Sequence, residues 1–135
     1  MSKHKLAYAP IDELASLPEL ADDAIDNSGA AYIMAKRANA LRVQAAALTW
    51  GARGARVNCL SPGIISTPLA RDEMSGPNAA GYARMIEVSS AHRMGTPSDV
   101  AELAALLLDD RGSFITGSDF LIDGGVIAAM RGGAL

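Results

Sequence analysis

The chain has 135 residues, half of them hydrophobic and only 4% aromatic, with a formal net charge of -3. That charge provides no attractive field for nucleic acid, and the apolar half argues against disorder. No stretch approaches the ~18 apolar residues of a membrane-spanning helix, and nothing between Met1 and Pro10 reads as a signal. A cytoplasmic protein of one domain is the expectation, without nucleic-acid or membrane partners.

In chain order, Lys3, His4 and Lys5 form a small solvated basic cluster. Pro10 and Pro18 bracket a short helix over 11–17, and Asp22, Asp23, Asp26 and Asn27 read as an acidic, turn-prone stretch. A long helix is expected from about Gly29 to Trp50, capped by Asn27 or Ser28 and stopped by Gly51 and Gly54. Its alanines at 31, 35, 38, 45, 46 and 47 allow other backbones to approach closely. Ala55 to Leu60 reads as a strand, and Ser61-Pro62-Gly63 turns the chain out of the sheet. Cys59, the one cysteine, has no disulfide partner and reads as a buried thiol.

Residues 64–95 form an excursion with a helix expected over Ala79 to Ser89. Thr96-Pro97-Ser98-Asp99 carries a capping hydroxyl, a first-turn proline and an acid facing the helix dipole, which starts a helix running through Leu108. Phe114 to Gly117 then turns into a last strand, Asp119 to Ile122, closed by Asp123-Gly124-Gly125. Strands alternating with helices imply an α/β class with a parallel sheet. Two strands alone are a poor core, so they read as part of a larger sheet.

Tyr32 and Lys36 stand four apart, on one face of the long helix. A phenol ionises near pH ~10 in water, and a neighbouring ammonium favours the phenolate, so such a pair can hold and release a proton near neutrality. The spacing alone is a weak signal and more often describes a surface lysine beside a half-buried tyrosine. His4 and His92 have no metal-ligand spacing, and no metal is expected.

Around that pair the order of motifs is informative. The segment from Tyr32 to Ala38 resembles the YxxxK helix of the short-chain dehydrogenase/reductase family. Arg56-Val57-Asn58-Cys59-Leu60-Ser61-Pro62-Gly63 is similar to its RVNxxxPG strand and turn, with Ile65 and Thr67 continuing the pattern. Gly95-Thr96-Pro97-Ser98-Asp99-Val100-Ala101 resembles its late helix start, and Thr116-Gly117 and Asp123-Gly124-Gly125 its closing TG and DGG. The resemblance spans roughly Gly29 to Val126.

It implies the C-terminal half of a Rossmann-like doubly wound parallel sheet, namely the last two strands with their helices. Residues 28–63 would be the catalytic helix and strand, 64–95 the substrate-binding excursion, and 96–135 the last helix, strand and tail. Tyr32 would exchange a proton with the substrate oxygen, and Lys36 would favour the phenolate and hold the nicotinamide ribose. The backbone after Pro62 and Gly63, with Ile65 and the Thr67 hydroxyl, would meet the carboxamide of NAD or NADP. Gly63 would permit unusual dihedrals and a close cofactor approach. Met74, Tyr82, Met85 and Ile86 would line an apolar pocket or pack an amphipathic helix. Asp123 would bond backbone amides in a tight turn.

The pattern breaks before Tyr32. No glycine-rich pyrophosphate loop is present, and neither Ser16 nor Ser28 follows an apolar strand, so no catalytic serine is carried over. Residues 1–27 resemble instead the long insert of hydroxysteroid-dehydrogenase-like members, and the chain is expected to begin inside it. Three functions follow. One is hydride transfer between NAD(P) and an alcohol or carbonyl substrate, with this incomplete chain expected to be inactive alone. Another is a non-catalytic subunit or oligomerisation module, since relatives pair as dimers or tetramers through helices present here. The third is a truncated product.

Overall fold

The computed structural model describes residues from His4 to Leu135; Lys3 of the basic cluster lies outside the described residues. Two compact units are present, one running up to Cys59 with Phe114–Asp119, the other Leu60–Ser113 with Phe120–Leu135.

The first unit opens with two single-turn helices, α1 (Lys5–Tyr8) and α2 (Ile11–Leu14). The helix expected over 11–17 ends at Leu14 because Leu17, which precedes Pro18, is extended (ψ 137°) and Pro18–Leu20 restarts as a 3-10 turn. A residue before proline is disfavoured in the helical region by its clash with the ring. A second 3-10 turn, Asp22–Ala24, occupies the acidic stretch. Helix α1 had no sequence signal, yet Leu6 is one of the most buried side chains in the structure. Arg42 holds its last turn, donating from Nη1 to the carbonyls of Leu6 (3.3 Å) and Ala9 (2.8 Å).

Helix α3 (Ser28–Gly51) is capped by Asn27, whose Oδ1 accepts from the Ala30 amide at 2.9 Å. Only Ala38 is buried along it, while Ile33 and Leu48 are exposed. A helix with apolar residues on several sides suits the interior of a larger body.

The strand expected at Ala55–Leu60 forms later, as β1 (Cys59–Pro62). Side chains carry most of the pairing over 56–58, beside one backbone bond. Arg56 Nη1 and Asn58 Nδ2 both donate to the Ile115 carbonyl, and Asn58 Oδ1 accepts from the Ser118 amide. The Val57 amide donates to Thr116 Oγ1, and the Gly117 amide donates to the Val57 carbonyl at 2.7 Å. Gly117 has φ +73°, and a Cβ there would sit 2.9 Å from the Ala47 methyl of α3, so both conformation and space demand glycine. Cys59 is half-buried rather than buried.

The second unit carries α4 (Pro68–Glu73), α5 (Ala79–Val88), α6 (Pro97–Leu108), a 3-10 turn at Asp110–Gly112 and α7 (Val126–Arg131). The last strand, β2 (Asp119–Ile122), pairs with β1. The Cys59 amide donates to the Ser118 carbonyl and the Gly63 amide to that of Ile122, so both strands advance together and run parallel. Helices α4 to α6 form the crossover, as an α/β class requires.

Helix α6 begins as its sequence indicated. Thr96 Oγ1 accepts from the Asp99 amide (3.2 Å), and Asp99 Oδ2 accepts from the Thr96 amide (2.6 Å), a complete capping box. Asp123 closes the last strand, with Oδ1 accepting from the Gly125 amide and Oδ2 from that of Ile127.

Candidate active site

On α3, Lys36 lies one turn after Tyr32, and its Nζ stands 5.3 Å from the centre of the Tyr32 ring, within cation–π range. Both side chains are exposed, Tyr32 by 64%. Among the described residues nothing else hydrogen-bonds the Tyr32 hydroxyl or the Lys36 ammonium. One face of the helix therefore offers a hydroxyl and three N–H donors together.

In the second unit, Pro62, Gly63, Ile65 and Thr67 follow one another along the turn that leaves β1. Ile65 forms a parallel bridge with Gly95: the Gly95 amide donates to the Ile64 carbonyl and the Ser66 amide to the Gly95 carbonyl. Peptide groups alternate in direction along extended chain, so the N–H and C=O of Ile65 itself point to the other side. Among the described residues neither has a partner. Thr67 Oγ1 accepts from the Ala70 amide at 3.2 Å and so caps α4, which leaves its own hydrogen free to donate.

Gly63 departs from expectation in its reason. Its φ is not in the left-handed region, so it supplies no unusual dihedral. A Cβ there would meet Asp123 Cβ at 2.6 Å and Asp123 Cα at 2.7 Å. The position is glycine because the start of the DGG turn packs on it.

The same turn borders a cavity of about 180 Å³ lined by Ile64, Ile65, Ala91, Arg93, Gly95 and Asp99, with Ile122, Asp123 and Gly124 completing it. Arg93 was not singled out by sequence reasoning; the signal was an arginine six residues before a capping acid. It grips Asp99 with both guanidinium nitrogens, Nη1 to Oδ2 at 2.7 Å and Nη2 to Oδ1 at 3.0 Å. The Arg93 hydrogen bond, followed by those from the Thr96 amide and hydroxyl, holds the Asp99 carboxyl well below the usual carboxylate range.

A depressed folded-state value means that the unfolded chain binds the proton first as pH falls. The stabilisation is therefore fully present above the ordinary carboxylate range and is lost progressively below it. Thermal melts between pH 2 and 7 are expected to show Asp99→Asn converging on the unaltered chain at the acid end. The two should separate as pH rises through ~4. A constant gap across the range would mean the charge does nothing.

No group of three or more potential metal-ligating residues occurs among the described residues. Nor is any helix there long and apolar enough to cross a membrane.

Residues 17–127 match the family model described as Enoyl-(Acyl carrier protein) reductase. The chain is 38% identical over 126 residues to the short-chain dehydrogenase/reductase bsc3 of Alternaria brassicicola, covering 93% of this chain and 45% of that protein. It is 34% identical over 103 residues to the 3-alpha-hydroxysteroid dehydrogenase/carbonyl reductase of Comamonas testosteroni, covering 75% and 39%. A solved 4-hydroxyisoleucine dehydrogenase mutant complexed with NADH and succinate superposes with a TM-score of 0.65 at 36% identity, covering 73% of this chain and 40% of that one. A putative 2-deoxy-d-gluconate 3-dehydrogenase from Agrobacterium tumefaciens with bound NADP gives 0.67 at 29%, covering 73% and 39%. The chain thus spans less than half the length of these relatives. Its two parallel strands and their helices are part of a Rossmann-type α/β fold, and the chain belongs to the short-chain dehydrogenase/reductase family.

Proposed function

We propose that this chain supplies the nicotinamide-side half of an NAD(P)-dependent oxidoreductase acting on a small alcohol or carbonyl compound. The observation that carries the reading is the pairing of Tyr32 with Lys36 on an open helix face, the Lys36 Nζ 5.3 Å from the ring centre. Solved relatives described as holding NADH or NADP support the cofactor class. The choice between NAD and NADP belongs to the adenosine end.

The residues present fit such a cofactor. The unpaired N–H and C=O of Ile65 form a donor and acceptor pair complementary to a primary carboxamide, and the free Thr67 hydrogen adds a second donor. A nicotinamide, when bound, supplies the hydride acceptor or donor. Everything else falls to the chain. Tyr32 gives its hydroxyl proton to a carbonyl oxygen during reduction, or takes the proton of the alcohol during oxidation. Lys36 keeps positive charge beside the Tyr32 ring and offers N–H donors to ribose hydroxyls. Pro62 presents no N–H, so the strand end leaves no donor there to satisfy.

Titration of the chain with NADH and NADPH, followed by nicotinamide fluorescence, tests this. Saturable binding is expected, weakened about tenfold by Lys36→Ala, the worth of one charge-assisted hydrogen bond, and left within about twofold by Tyr32→Phe. Absence of binding at millimolar cofactor would remove the reading for this chain.

A second reading, that the chain also serves as a subunit of a homo-oligomer, is favoured by exposed Ile33 and Leu48 on α3. Light scattering is expected to give a dimer or tetramer. A monomer with a sharp, cooperative melt would count against it. A cytoplasmic location is part of the same proposal.

A further inference from the structure

Between Arg93 and Asp99 the chain closes on itself. Two guanidinium nitrogens of Arg93 hold the Asp99 carboxylate, and Asp99 Oδ2 also accepts from the Thr96 amide and hydroxyl. Arg93 Nη1 donates in addition to the Met94 carbonyl at 2.9 Å. The backbone groups on either side of Gly95, the Met94 C=O and the Thr96 N–H, are therefore both fastened to this clamp. Along extended chain they point away from the N–H and C=O of Gly95, which are left for the other side. There the Gly95 amide donates to the Ile64 carbonyl at 2.9 Å, and the Gly95 carbonyl accepts from the Ser66 amide at 2.8 Å.

Ile65 is thus held by the two peptides that flank it, with its own N–H and C=O facing away from the bridge. Its side chain also rests on Gly95, where a Cβ would meet Ile65 Cδ1 at 2.6 Å. Arg93, Gly95, Asp99 and Ile65 all border the cavity of about 180 Å³, and all lie in the second unit. The ion pair is open to solvent, with side-chain exposures of 56% and 34%, and pairs so exposed add only modestly to stability. A bidentate grip, by contrast, fixes direction.

We propose that Arg93 and Asp99 are positioning residues. By fixing the peptides around Gly95, they set the direction of the Ile65 N–H and C=O that receive a primary carboxamide. They act through Gly95 and Ile65, without touching the ligand. The inference rests on the cofactor reading above for the identity of that carboxamide, but it can be measured without turnover.

Titration of the isotope-labelled full chain with nicotinamide and with nicotinate, followed by NMR on the Ile65 amide at neutral pH, provides the test. Nicotinamide is expected to move that resonance and to saturate. Nicotinate, whose carboxylate offers no donor to the Ile65 carbonyl, should bind about tenfold more weakly. Arg93→Gln and Asp99→Asn should each weaken nicotinamide binding several-fold, and the double variant no further, because both act through one clamp. Asp99→Glu, which keeps a carboxylate, should retain most of the affinity. Arg93 is largely exposed, and the amide oxygen introduced by Asp99→Asn still accepts from the Thr96 amide, so the fold is retained. A pair that only stabilises the turn would lower the melting temperature and leave affinity and the Ile65 shift unchanged, which overturns the proposal. So does an Ile65 amide that nicotinamide does not move at tens of millimolar. Parallel NADH titration separates the two proposals. NADH binding without an Ile65 response keeps the oxidoreductase reading and removes the clamp. A clamp-sensitive nicotinamide response in a chain that binds no NADH does the reverse.

Discussion

Gly63→Ala is expected to destabilise the second unit by about 1–3 kcal/mol, read as a lower urea midpoint at unchanged slope. Two effects oppose each other here. Alanine restricts the unfolded chain, which stabilises by about 0.4–1 kcal/mol wherever the native backbone accepts it. Gly63 is not in the left-handed region, so its backbone does accept it. Against that, the added methyl would lie 2.6 Å from Asp123 Cβ and 2.7 Å from Asp123 Cα. The obstacle includes backbone, which a rotamer change cannot clear, and Asp123 is fixed by its bonds to the Gly125 and Ile127 amides. The clash outweighs the entropy. Gly51→Ala is the control: nothing lies within 4 Å of the added methyl at the end of α3, so stability should hold or rise by up to about 1 kcal/mol. If Gly63→Ala melts normally but loses NADH binding, the glycine serves the cofactor instead of the DGG turn.

Local chemistry explains which parts of this structure were legible in the sequence. The start of α6 was readable because the hydroxyl, proline and acid that make it lie within four residues, and all three act there. The Asp123 turn was readable for the same reason. Helix α1 was not, because a four-residue helix has almost no internal signal. It is held by Leu6 burial and by Arg42, whose bonds span more than thirty residues. The strand boundary was misplaced because Val57 and Cys59 alternate as a strand should, while Asn58 and Arg56 take side-chain bonds to 115–118 that carry most of the pairing there.

At the candidate site, the Tyr32 and Lys36 pairing follows directly from helical spacing. The free peptide of Ile65 does not, since it depends on a bridge to Gly95 thirty residues away. Arg93 was missed because its role exists only once the turn before Gly95 brings it onto Asp99.

Tyr32→Phe should leave the fold and cofactor affinity intact and remove the chemistry. The hydroxyl is exposed and, among the described residues, has no hydrogen-bond partner, so deleting it orphans no group. The melt should move by no more than about 0.5 kcal/mol. The ring itself remains, so the Lys36 ammonium keeps the aromatic face it occupies 5.3 Å away. NADH affinity should accordingly stay within about twofold, whereas turnover, followed by nicotinamide absorbance with an alcohol and NAD+ or NADP+, should fall about 100- to 10,000-fold, the usual worth of a positioned acid/base. Lys36→Met gives the opposite division, because it removes both the charge beside the Tyr32 ring and the donors for the ribose: affinity and turnover should fall together. Turnover retained in Tyr32→Phe would mean that another group carries the proton. Equal loss of binding in the two variants would mean that the pair acts only as a surface for the cofactor.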